Sequence, residues 1–87
     1  MHSKTMYAMA TEDDLTGDGR GRIRILAEFN EPDTEIDMVT YSVDDNYDRT
    51  GLNVIDSLFA SGYRIVGSIT EAANGLFMPV EKINTSN

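Results

Sequence analysis

The chain has 87 residues, with 15 Asp and Glu against 7 Lys and Arg, and a formal charge of −8. It has no cysteine, no tryptophan and one histidine. These counts exclude a disulfide scaffold, a cysteine-ligated zinc site and cysteine catalysis, and they argue against direct binding of nucleic acid, which needs excess Lys and Arg.

The length predicts one small domain over 1–87, with frayed ends at 1–4 and 84–87. Apolar runs stay far below the ~20 residues of a membrane span. Met1-His2-Ser3-Lys4 leads into no apolar signal core, so the expected compartment is cytoplasmic. Asn84-Thr85-Ser86 matches a glycosylation sequon but reads as polar tail.

Thr5 to Ala10 reads as a short strand, and Thr11 to Gly21 as a polar, glycine-rich loop. Arg22 to Phe29 is the clearest strand: Ile23, Ile25, Ala27 and Phe29 share one face, Arg22, Arg24, Leu26 and Glu28 the other. Asn30 to Thr34 is a turn, and Glu35 to Val43 returns as the hairpin partner. Matching the apolar faces pairs Phe29 with Glu35, Ile25 with Val39 and Ile23 with Tyr41.

Asp44 to Arg49 is a second polar loop. Thr50 to Ser61 reads as a helix capped by Thr50 or Asp48, with Leu52, Ile55, Leu58 and Phe59 as its apolar stripe and Gly62 as its stop. Tyr63 to Ala73 and Leu76 to Ile83 form a second hairpin about Asn74-Gly75, pairing Ala73 with Leu76 and Ile69 with Val80. Pro79 places the last strand at an edge, or paired on only one side near Pro79. The fold class is α+β, in the order β-β-β-α-β-β, as a single antiparallel sheet with one helix packed on one face.

Residues 11–48 carry twelve of the fifteen carboxylates. An up-down-up meander brings the loops 11–21 and 44–49 to one end of the sheet. That end gathers Glu12, Asp13, Asp14, Asp18, Asp44, Asp45 and Asp48. Like charges so gathered repel one another unless a positive partner meets them. These residues are the candidate partner-binding set.

Asp14-Leu15-Thr16-Gly17-Asp18-Gly19 opens like an EF-hand or dockerin calcium loop, but its twelfth position is Ile25 rather than Glu and three arginines enter the loop. Gly17, Gly19 and Gly21 alternate without the strand and helix of a dinucleotide site. Arg20, Arg22 and Arg24 line one strand face. Arg22, Arg24, Leu26, Ile36 and Met38 together resemble an apolar patch rimmed by arginine, which suits self-association. His2 lies in the frayed terminus, and exposed acids lack the burial that tunes a catalytic carboxylate, so no catalytic residue and no cofactor is assigned.

The leading expectation is therefore a small acidic, non-catalytic interaction protein whose partner is a protein with a basic, nucleic-acid-handling surface. In composition alone it resembles the inhibitors and regulators among phage and mobile-element accessory proteins. Calcium binding by the loops 11–21 and 44–49 is a second reading. A homodimer through the arginine-rimmed face is a third.

Overall fold

The computed structural model describes residues 4–17, 19–42, 52–72 and 75–83. They form one curled antiparallel sheet and a single helix, an α+β domain. The strands are β1 (Met6–Thr11), β2 (Arg20–Leu26), β3 (Glu35–Ser42), β4 (Tyr63–Ile65), β5 (Thr70–Ala72) and β6 (Gly75–Lys82), with α1 (Leu52–Ala60) between β3 and β4. The sheet order is β3-β2-β1-β6-β4, and β5 also pairs with β6. The expected strand over Tyr63 to Ala73 is thus two short strands.

Alternation sorts the side chains. Ala8, Ala10, Ile23, Ile25, Val39, Tyr41, Tyr63, Met78 and Val80 pack with Val54 and Leu58 of α1 into one buried cluster. Val54 and Leu58 are i, i+4 neighbours on the helix surface. Phe59, one residue beyond that stripe, is 68 % exposed, which corrects its expected place on the buried face. Gly62 ends the helix with φ +92°, and its N–H donates to Phe59 O. The proposed caps Thr50 and Asp48 lie outside the described residues.

Both hairpin registers differ from expectation by two residues. Ile23 pairs with Val39, Ile25 with Asp37 and Gly21 with Tyr41; after a bulge at Ile25/Leu26, Leu26 pairs with Glu35. The parity survives, because the apolar faces still meet. The register shifts because β2 ends at Leu26 instead of Phe29, leaving a longer connection. In the second hairpin Ala72 pairs with Gly75, Glu71 with Leu76 and Thr70 with Phe77. The connection therefore falls at residues 73–74, outside the described residues, and Gly75 belongs to the strand.

Gly75 is needed for a close approach. A Cβ there would stand 2.2 Å from the carbonyl oxygen of Ala10 on β1. Pro79 also sits in the sheet interior, which corrects the edge placement: β6 pairs with β1 on one side and with β4 and β5 on the other. Val66 N–H donates to Pro79 O at 2.9 Å. In an antiparallel strand a residue's N–H and C=O point to the same neighbour. The missing N–H of Pro79 therefore faces residues 66–69, where the outer pairing is interrupted. A Cβ on Gly67 would lie 2.6 Å from the Pro79 ring, so the proline occupies that break.

The curl brings opposite ends of the strand order into contact. Tyr63 on β4 donates its hydroxyl to Asp37 Oδ2 on β3 at 2.5 Å. Asp37 Oδ1 accepts the Met38 N–H at 2.8 Å. These bonds hold the Asp37 carboxyl below its usual range, while burial first, and then the Asp37 bond, push the Tyr63 phenol up to about 12.

Two expectations follow. Gly75→Ala should lower stability by about 1–3 kcal/mol through overpacking against β1, read as a lower urea midpoint. The lowered Asp37 carboxyl contributes stability above its unfolded value of 3.8 that is lost as pH falls, and the raised Tyr63 contributes stability below 10 that is lost as pH rises toward 12. Tyr63→Phe should flatten both limbs of a midpoint-against-pH curve. A variant curve parallel to that of the wild type would show that the bond does not couple to folding.

Candidate functional site

The acidic end of the sheet begins where β1 stops. Glu12–Asp14 makes a single 3-10 turn, in which Glu12 and Asp13 are exposed. Asp14 turns inward and is 1 % exposed. Its Oδ2 accepts a hydrogen bond from Thr11 Oγ1 at 3.3 Å. Its Oδ1 lies 3.0 Å from Arg24 Nη2 and 3.7 Å from Arg22 Nη2, yet makes no hydrogen bond, so that attraction is Coulombic rather than directional. The arginine stripe of β2 thus serves first to neutralise one buried carboxylate.

In the calcium-like stretch, hydrogen bonds join the residues on either side of Gly17–Gly19. Thr16 N–H and Oγ1 both donate to Arg20 O, at 3.0 and 3.1 Å, and Leu15 bridges to Gly21. Among the described residues there is no cluster of three His, Cys, Asp or Glu able to hold a metal. Asp18, Asp44, Asp45 and Asp48 lie outside the described residues. Since β1 and β3 both run antiparallel to β2, the described strands direct both acidic loops toward the same end.

The face expected to support self-association is mostly occupied. Leu26 is fully buried. Arg24 holds Asp14 and also lies 3.7 Å from Glu35 Oε1 through its Nε. Ile36 and Met38 are the members that stay open, 58 % and 44 % exposed.

The connection 27–34 folds back across the sheet face opposite the helix. Ala27 N–H donates to Thr34 O at 2.9 Å. Thr34 Oγ1 accepts the Glu28 N–H at 3.0 Å and donates to Glu31 O at 2.7 Å. One threonine therefore ties both limbs of the loop. Asn30, at φ +54°, supplies the left-handed residue that turns the chain. Phe29 then leaves the face of Ile23 and Ile25, where alternation had put it. It stacks edge-on against Tyr7 at 5.6 Å and lies tilted against Phe77 at 6.0 Å.

Between this loop and the 3-10 turn lies a shallow cleft of about 220 Å³. Met9, Arg24 and Phe77 lie beneath it, Asp13 and Asp14 stand on one side, and Asn30 and Pro32 on the other. It is smaller than the ~300–1,000 Å³ of ordinary small-molecule sites. Phe29 and Thr34 were not singled out from the sequence. The available signal was the run Glu28, Glu31, Asp33, Glu35 and Asp37, which surrounds two large apolar residues, Phe29 and Ile36.

No helix among the described residues is long and apolar enough to cross a membrane. Comparison with protein families, with curated proteins and with solved structures gives no match in any of the three.

The two kinds of ion pair should separate cleanly. Asp14→Asn leaves two arginines without their buried counter-charge and should lower stability by about 1–3 kcal/mol, less than a fully buried pair because both guanidiniums reach solvent. Glu35→Gln breaks a longer pair in which both side chains reach solvent and should change stability by less than about 0.5 kcal/mol. Urea midpoints of the two variants test the contrast.

Proposed function

We propose that the protein is a small, non-catalytic interaction module that offers carboxylates to a basic surface on another protein, as an inhibitor or regulator of a nucleic-acid-handling partner would. The distribution of charge carries this reading. From Ile25 to Asp48 there are eight carboxylates and no Lys or Arg. Glu28, Glu31, Asp33 and Glu35 within that stretch are exposed, as are Glu12 and Asp13 before it. Carboxylates held on a scaffold match the Lys and Arg groups that otherwise grip phosphates, and complementary fields also speed encounter.

The test is capture from lysate of the source cells at about 0.05 M and about 0.5 M salt, since exposed charges are screened over that range. The expected partners are basic proteins, released by salt and displaced by added polyanion. Partners whose retention is indifferent to both salt and polyanion would overturn the reading.

A further inference from the structure

Eleven consecutive residues, Glu28 to Met38, hold three exposed large apolar side chains and five carboxylates, with no Lys or Arg. Phe29 is 56 % exposed, and Ile36 and Met38 are open on β3. Solitary exposed apolar residues are ordinary, but three on one short segment ringed by charge have the composition of a contact surface. The segment is also held in place: Thr34 ties the loop through Glu28 and Glu31, and Phe29 is seated against Tyr7 and Phe77. A surface already ordered loses little freedom when it binds.

We infer that residues 28–38 are the docking surface, and that its occupant is a Lys- and Arg-bearing segment of a partner protein that also carries apolar side chains. This rests on the acidic-interaction reading and moves its centre from the loops 11–21 and 44–49 to the 28–34 loop and the start of β3. Glu28, Glu31 and Asp33 meet the cationic ends, while Glu35 is shared with Arg24. Phe29, Ile36 and Met38 meet the aliphatic stems and apolar residues, and the open face of Phe29 is suited to a cation. A second copy is the poorer occupant, because two such faces would set carboxylates against carboxylates with no Lys or Arg among residues 28–38 to offset them. The nearest cations, Arg22 and Arg24, are already drawn to Asp14.

The probes are two synthetic peptides of equal charge, one alternating lysine and leucine, the other oligolysine. Binding to the isotopically labelled full chain is followed by amide chemical shifts. The lysine–leucine peptide should bind about tenfold more tightly than oligolysine, with shifts concentrated at 28–38. Phe29→Ser and Ile36→Thr should each reduce that affinity several-fold while leaving the circular dichroism spectrum unchanged. Equal, salt-dependent binding of both peptides, or shifts centred on Glu12–Asp14, would overturn this surface while leaving the acidic-interaction reading in place. Failure of both peptides to bind would overturn both. A concentration-dependent dimer in sedimentation that Phe29→Ser dissolves would assign the face to a second copy and overturn the proposal.

Discussion

The hydrogen bond from Tyr63 to Asp37 joins the two ends of the strand order. A flat sheet of this size would present more apolar area than one nine-residue helix can cover. Curling brings β3 and β4 toward each other, so Val54 and Leu58 suffice to complete a core built from Ala8, Ile23, Ile25, Met78 and Val80. The opposite face then turns outward and is covered in a different way. The 3-10 turn and the 27–34 connection lie across it, sealing Leu26 and Met9 and leaving a cleft between them.

The alternation of Ile23 and Ile25, the β-branched run of β3, the glycine stop at Gly62 and the α+β class are all legible in the sequence, because period and turn chemistry are local signals. What was not legible depends on contacts distant in the chain. β2 ends at Leu26, just past a one-residue bulge, so the first register lies two residues from the expected one and Phe29 goes to the other face. Asn74-Gly75 suggests a two-residue turn, yet Gly75 is required by the carbonyl of Ala10, far away in sequence. Pro79 argues for an edge only until the break opposite it, at 66–69, is known. There the outer ladder is interrupted, although Val66 N–H still donates to Pro79 O.

The carboxylates also divide in a way that sequence alone conceals. Asp14 and Asp37 hold the fold together, one through arginines and one through a phenol. Glu35 and Glu81 are engaged by Arg24 and Arg64. Glu28, Glu31 and Asp33 remain on a loop whose shape is fixed by Thr34. An acidic residue's neighbour on the next strand decides which group it joins, and the charge count cannot.

The pairing of β1 with β6 has a consequence for how the molecule assembles. Met6 lies opposite Val80 and Thr11 opposite Gly75, so these two neighbouring strands come from segments far apart in sequence. During synthesis the β1-β2-β3 meander emerges first, with one margin of β1 still unfilled. The sheet cannot be completed until β6 has been made, because among the described strands no earlier one pairs with that margin. Such non-local closure is slow compared with hairpin formation. The nascent meander therefore spends its longest exposed interval as an open three-stranded ribbon, and the nine carboxylates between Glu12 and Asp37 help to keep neighbouring copies apart.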